Sequence, residues 1–458
     1  MKKESFTYRS RLEAPAEEVF KWHTRPGAFE RLKPPWERVS IEGRAGLVEE
    51  GARVRLSIGR PGLKWLLEHR DIVPGRQFCD YAIKGPFPYW KHSHRFIPES
   101  QDASILEDHL EYGLPLGGLG RLAAGGFLRK KLERLFRYRH RITACDLAAL
   151  KRGAIEKPLK VLVSGSSGLI GSALIPFLTC GGHRVMRLVR RKIHPGEETV
   201  FWDPLSGRVD SNELEGFDAV IHLAGESVAP GRWTAGKKER IRLSRIKGTQ
   251  VLIDSLSRCD RPPQVLICAS ATGYYGNRGD ELLDENSGPG NSFLSQVCRE
   301  WEQTAAALAR TGVRVASLRF GMVLSPEGGA LGVMLLPFRL GAGSPLGDGR
   351  QWMSWISIHD AVRAIYHILL DSSLAGPVNL VSPGPVTNRE FTCALARTLN
   401  RPAFFRTPAW LLKAALGPMA KELLLASCRV KCARLKQTHF AFCHPELKGA
   451  LEFLMGKQ

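Results

Sequence analysis

Apolar residues along this chain follow two rhythms. From residue 5 to about 147, short β-like runs alternate with turns: FTYRSRLEA, ARVRLSIG, QFCDYAI, KHSHRFIP and SILEDHLEY. After the first run, PAEEVFKWHTRPGAFERLKPPW reads as short helices, with Pro15 suited to a first turn and Pro34-Pro35 stopping the stretch. The region closes on RKKLERLFRYRHR, Arg129 to Arg141, where Leu128, Leu132 and Leu135 share one face of a helix whose other face is basic. A strand, two short helices, a run of strands and a long final helix predict one antiparallel sheet curled around a helix, an α+β unit. KRGAIEKPLK then resets the pattern with charge, Gly153 and Pro158, which sets a boundary near residue 155. Beyond it the apolar runs become continuous, as in LKVLVS, HRVMRLVRR, FDAVIHLAGES, VLICASATGYYG and RVASLRFG, and helical stretches separate them. Buried strands alternating with helices predict an α/β unit with a parallel sheet.

Composition narrows the setting. A chain of 458 residues exceeds one core and fits two or three units. No apolar run approaches the length of a membrane span, and the basic start MKKESFTYRS lacks the apolar segment of an export signal. The ten cysteines are scattered without a framework spacing, so a reducing, cytoplasmic setting is expected. The formal charge of +21 raises the question of nucleic acid. Residues 1–157 hold 30 Lys and Arg against 20 Asp and Glu, about half the excess. No recognition motif accompanies the charge, so no specific nucleic-acid partner is expected, and the basic helix reads as a solvated face or an anionic contact.

The chemistry concentrates in LKVLVSGSSGLIGSALIPFLTCGGHRVMRLVRR. A buried strand runs into Gly165, Ser166, Ser167, Gly168, Leu169, Ile170 and Gly171, then an apolar helix and a second strand. Glycine at these places permits a tight turn, close approach of backbone to a pyrophosphate, and close helix packing, with the phosphates at the helix's positive end. The spacing G-x-x-G-x-x-G resembles the extended and atypical short-chain dehydrogenase/reductase superfamily, in a Rossmann-type doubly wound sheet. Where an NAD enzyme keeps an acidic group for the ribose hydroxyls, this chain has Arg190 and Arg191, which suit a 2′-phosphate. NADP is therefore expected over NAD.

Further stretches narrow the resemblance. LAGESVAPGRWT, SATGYYGNRGDELLDEN, FLSQVCREWE and LRFGMVLSPEGGALGVMLLPFRLGAGSPLGDGRQWMSWISIHD, with the tail PAFFRTPAWLLKAALGPMAKELLLASCRV, resemble the epimerase-like family that includes YfcH and SDR39U1. This resemblance places Leu223, Ala224, Gly225 and Arg245 beside the cofactor, Met322 near its nicotinamide end, Ser270 at the catalytic serine and Thr272 as the neighbouring hydroxyl. The element order of the first region, with FTYRSRLEAPAEEVFKWHTRPGAFERL, resembles the START-like helix-grip family (SRPBCC), which implies a cavity for an apolar ligand. Trp22, His23, Trp65, Trp90, His92 and His94 either line that cavity or pack the core. The expected domains are a START-like unit at 1–154, a Rossmann unit at 155–374 and a segment at 375–458 completing a substrate lobe.

The family's usual proton-transfer pair is missing. The superfamily's Tyr-x-x-x-Lys corresponds to Phe293 and Val297, and no such motif occurs elsewhere. Phenylalanine keeps the ring but exchanges no proton. Tyr275 and its neighbour Tyr274 offer either an acid or a pocket wall, with Ser270, Thr272 and Tyr275 the candidate catalytic set. Lys237 and Lys238 read as a solvated face, His359-Asp360 as a helix anchor or a polarised pair, and Cys298 as a packed thiol. Cys428 and Cys432, read as one helix face, lie near His439, Cys443 and His444 without the tight pairs of a zinc site, so no metal is expected. Two functions fit: an NADP-dependent oxidoreductase of the epimerase/dehydratase type acting on a small molecule, or a non-catalytic NADP(H)-responsive binding protein.

Overall fold

A computed structural model describes residues 3–42, 48–59, 62–114, 117–153, 157–194, 196–209, 211–229 and 231–458, with side chains 117–124 left out. Two compact units emerge, one from residues 1–156 with 176–182 and 456–458, the other from 157–175 and 183–455.

The first unit orders its elements β1 (Glu4–Leu12), α1 (Ala16–Thr24), α2 (Ala28–Leu32), β2 (Val39–Ile41), β3 (Arg53–Ile58), β4 (Leu63–Val73), β5 (Gln77–Lys84), β6 (Tyr89–Pro98), β7 (Ser104–Gly113) and α3 (Gly117–Arg152). The seven strands form one antiparallel sheet in the order β1-β7-β6-β5-β4-β3-β2. Period-two alternation drives this: residues of one parity turn to α3 and the other parity to solvent. Phe6, Leu110 and Tyr112 of the sheet pack on Leu132 and Phe136 of α3, with Leu128 and Leu135 alongside. The expected leucine stripe is therefore the buried face, while Arg129, Lys130, Lys131 and Arg141 are exposed. This is the helix-grip arrangement.

The second unit runs β8 (Lys160–Ser164), α4 (Leu169–Cys180), β9 (Arg184–Val189), β10 (Thr199–Asp203), β11 (Arg208–Val209), β12 (Ala219–His222), α5 (Ala235–Leu256), β13 (Val265–Ala271), β14 (Leu282–Leu283), α6 (Phe293–Ala306) and β15 (Arg314–Phe320). Then come β16 (Met322–Leu324), α7 (Gly329–Arg339), β17 (Trp352–Met353), β18 (Trp355–Ser357), α8 (Ile358–Leu370), β19 (Gly376–Leu380), β20 (Val386–Thr387) and α9 (Asn388–Leu399). The tail holds α10 (Ala409–Leu416), β21 (Arg429–Val430), α11 (Ala433–Gln437) and α12 (Leu447–Leu454). The main sheet has the order β11-β10-β9-β8-β12-β13-β15-β19, parallel except for the β10-β11 hairpin. Strand order reverses between β8 and β12, which makes their C-terminal ends the switch point where such folds bind dinucleotides.

The tail shares a core with the loops after β15. Leu324, Leu331, Trp355 and Ile358 are buried with Phe391, Leu395, Leu447, Leu451 and Leu454. Asp360 anchors this lobe: it caps α8 with Ser357 and accepts from the backbone N–H groups of Cys443 at 2.8 Å and His444 at 3.1 Å. The anchoring reading of the His359-Asp360 pair thus has its geometry. Cys428 and Cys432 flank the short β21, which pairs with β14, so they do not share a helix face. No described helix is long and apolar enough to cross a membrane, and all ten cysteines are free thiols.

Candidate active site at the sheet switch point

The glycine loop leaves β8 where the sequence requires close packing. Gly165 has φ +67°, and a β-carbon there would come within 2.6 Å of the Leu223 carbonyl carbon. At Gly171 a β-carbon would run into the Gly165 carbonyl oxygen. Ser167 and Gly168 are exposed, Ser166 is half-buried, and Leu169 and Ile170 turn to the lobe core. The backbone of Gly165 to Gly168 therefore stays open at the N-terminus of α4, the geometry that receives a pyrophosphate.

A buried pair that the sequence reading missed braces this loop. The Ser164 hydroxyl accepts from the N–H groups of Leu223 at 3.1 Å and Ala224 at 3.3 Å. With both lone pairs used, its proton goes to His222 Nδ1, 2.7 Å away. The neutral His222 ring then carries its proton on Nε2, which is buried with no hydrogen-bond partner among the described residues. Burial alone pushes this imidazole down to about 4. The signal was a polar residue ending each of two adjacent apolar runs, KVLVS and AVIH.

The two arginines after β9 differ. Arg190 is exposed and makes no hydrogen bond or ion-pair contact among the described residues, though its charge reaches Glu226. Arg191 pairs with Glu197 at 2.8 Å and donates to the Lys192 carbonyl. Arg245 is also held by the protein. Its guanidinium donates to the Glu226 and Ile241 carbonyls, each at 3.0 Å, lies over the Trp301 ring and backs onto Gly225. It stiffens the 223–226 loop from behind. Lys237 is buried and paired with Glu226 at 2.7 Å, which corrects its reading as a solvated residue.

The candidate catalytic residues also separate. Ser270 is buried on β13 and donates to Glu302 Oε1 at 2.6 Å. Arg319 on β15, directly beside Ser270 in register, closes on both Glu302 oxygens at 2.9 and 2.8 Å. Arg319 Nη1 also donates to the Tyr275 hydroxyl at 2.9 Å, and Tyr275 donates to Asn379 Oδ1 at 2.7 Å. Tyr275 is fully buried, and that burial pushes its phenol up to about 12. Both hydroxyls hydrogen-bond within an internal network around the Glu302–Arg319 pair. Tyr274 stacks its ring 3.5 Å from the Arg319 guanidinium. Thr272, half-buried at the end of β13, keeps a hydroxyl that makes no hydrogen bond to the described protein.

Phe293 sits where the tyrosine would stand and packs edge-on against Trp233 at 5.5 Å, beside Ile241 and Met419, with Lys238 Nζ over its ring. Val297 is buried, and Cys298 is a buried thiol pushed by burial to about 11. Met322, half-buried on β16, donates its N–H to the Ser354 carbonyl at 2.8 Å. The loop that starts α7 packs Gly328 and Gly329 onto Leu169, which brings the lobe to the glycine cradle.

In the first unit, Trp22 is core, and Trp65, Phe87, Trp90 and Tyr112 form an aromatic cluster. An open cavity of about 590 Å³ is lined by Trp36, Glu37, Arg38, Ile58, Gly59, Lys131 and Arg134.

Residues 161–380 match the model of the NAD dependent epimerase/dehydratase family, 407–454 a domain of unknown function, and 12–137 the polyketide cyclase/dehydrase and lipid transport family. The epimerase family protein Mb2239 of Mycobacterium bovis is 44% identical over 293 residues, 64% of this chain and 96% of the relative. The crystal structure of a nucleoside-diphosphate sugar epimerase from Corynebacterium glutamicum has a TM-score of 0.81 at 33% identity, covering 99% of this chain and 90% of that one. Human SDR39U1, solved with NADPH, has a TM-score of 0.60 at 32% identity, covering 66% of this chain and all of its own. A glycine cradle at the switch point, an NAD(P)-binding fold and a family-specific tail thus come together, and the chain belongs to the SDR39U1-like epimerase family, with a START-like domain ahead of its Rossmann unit.

Proposed function

We propose that the second unit binds NADP(H) and acts as an epimerase/dehydratase-type oxidoreductase on a carbonyl or alcohol carbon, while the first unit holds a small molecule with an apolar body. The observation that carries this reading is the glycine cradle with the exposed Arg190 at the end of the neighbouring strand. In this reading the backbone of Gly165 to Gly171 takes the pyrophosphate, Leu223 to Gly225 flank the adenosine, Arg190 pairs with a 2′-phosphate, and Met322 borders the nicotinamide end. A bound nicotinamide supplies hydride exchange.

The chain's own contribution is then mostly positioning. Arg191 and Arg245 hold loops, Ser270 and Tyr275 form the fixed floor, and Thr272 is the hydroxyl left to hold a substrate oxygen. Val333, Leu336 and Leu340 on and after α7, with Phe404, Phe405 and Trp410, are exposed apolar side chains. They favour an apolar substrate over a nucleotide sugar. In the first unit Arg38, Lys131 and Arg134 around the cavity suit a ligand with an anionic end.

NADPH titration followed by fluorescence tests this reading. Arg190→Ala should weaken NADPH by about 10- to 100-fold, the cost of a charge-assisted contact, and leave NADH unchanged. Equal loss of both cofactors would overturn the NADP assignment. A second reading, an NADP(H)-responsive binding protein without turnover, is favoured by the packed Phe293 and Val297. NADPH binding without oxidation by any of a panel of apolar carbonyl compounds would select it.

A further inference from the structure

β6 lies between β5 and β7 in the antiparallel sheet. His92 and His94, two apart, share one face of it. The register puts Asp80 opposite His92, Asp108 opposite His94, and His69 opposite Asp80. Cross-strand partners share a face. Three imidazoles and two carboxylates therefore meet on one side of the sheet, and α3 adds His140.

Their geometry has a direction. Asp108 holds the far nitrogens: Oδ1 lies 2.7 Å from His92 Nε2, and Oδ2 lies 2.7 Å from His140 Nε2. The opposite nitrogens, His92 Nδ1 and His94 Nε2, point to Asp80 Oδ2, at 3.9 and 3.2 Å. Asp80 is itself fixed, with Oδ1 2.7 Å from His69 Nδ1. The three convergent ligand atoms lie within 4.8 Å of one another. Two ligands each about 2.0–2.2 Å from one first-row ion stand roughly 3–3.5 Å apart.

Two further features distinguish this from a finished hydrogen-bond cluster. His92 Nδ1 is beyond hydrogen-bond reach of Asp80. His94 lies between the two carboxylates, with Nε2 3.2 Å from Asp80 Oδ2 and Nδ1 in an ion-pair contact 2.8 Å from Asp108 Oδ1 that is off the ideal hydrogen-bonding direction. A carboxylate behind a histidine's second nitrogen is the usual outer layer of a metal site.

We propose that Asp80, His92 and His94 bind one divalent first-row transition-metal ion through a carboxylate oxygen and two imidazole nitrogens, with Asp108 and His69 orienting those ligands. Three protein ligands leave a position for water or for an oxygen or nitrogen of a small molecule.

The test uses the full chain, made without a histidine tag, stripped by chelator and equilibrated with Co²⁺. One Co²⁺ per chain should survive gel filtration, with X-ray absorption reporting two imidazoles and no sulfur. Asp80→Asn and His92→Ala should each weaken binding at least tenfold, and Asp108→Asn by about 10- to 100-fold. His109→Ala, on the other face of β7, should leave it unchanged. No retained ion, sulfur donors, fewer than two imidazoles, or a His92→Ala chain that binds as the parent does would each overturn the proposal. Where a variant fails to fold, the parent's own absorption spectrum decides.

Discussion

Each unit buries a polar cluster, and the two are built to opposite plans. In the Rossmann unit Ser270, Glu302, Arg319, Tyr275 and Asn379 are linked donor to acceptor, with the Glu302 anion against the Arg319 cation. In the helix-grip unit the sheet gathers several imidazoles around two carboxylates, so that donors outnumber well-aligned acceptors: His94 Nδ1 meets Asp108 off the bonding direction, and His140 Nδ1 is buried with no hydrogen bond among the described residues. A well-matched network rigidifies its surroundings, whereas a cluster of histidines on two shared carboxylates can exchange protons for a metal ion. The contrast inverts expectation, since the Rossmann residues resembled a catalytic set and the histidines resembled packing.

Experiments on the complete cluster can break that contrast. The largest effect is expected at Glu302. Glu302→Gln leaves Arg319 charged and buried without its counter-ion, and urea unfolding should report a loss of about 3–5 kcal/mol. A loss under about 1 kcal/mol would show that water reaches the pair and that the cluster is not closed.

His222 gives a smaller, pH-dependent effect. Its folded pKa of about 4 lies below the ordinary value of 6.5. The unfolded chain therefore takes up the proton first as pH falls. Stability from this group is complete above about 6.5 and is lost towards pH 4, up to about 3 kcal/mol. His222→Asn should remove that part of the acid limb when unfolding midpoints are compared at pH 7.5 and 4.5. Identical slopes in parent and variant would mean that the ring is not held neutral.

The smallest effect sharpens the comparison most. Ser270→Ala should cost about 1 kcal/mol, one internal hydrogen bond, and leave NADPH affinity unaltered. If cofactor binding or turnover collapsed with stability intact, Ser270 would belong to the chemistry and the closed-network reading would fail.

What could be read along the chain depended on how local the cause was. The turn at Gly165 and the helix after Gly171 are set by adjacent residues, so the cradle was legible from seven positions. Leu128, Leu132 and Leu135 fixed the inward face of α3 in the same way. The partners of Ser270 and Tyr275 were not legible, because Glu302 and Arg319 lie on other elements and decide where those hydroxyls point. Lys237 looked solvated until Glu226, before the helix, was brought against it. Cys428 and Cys432 lost their helix because β14, far back in the chain, recruits the intervening residues as a strand. The alternation in KHSHRFIP was visible, but only the register with β5 and β7 brings the two aspartates to the histidines.

The Glu302–Arg319 pair has an evolutionary corollary. Removing either partner alone strands a buried charge, whereas replacing both with well-packed apolar residues is close to neutral. A lineage descending from this chain therefore has no inexpensive single-substitution path that frees Ser270. The pair is therefore expected to persist or be lost as a unit, because a change at either position alone leaves a buried charge behind.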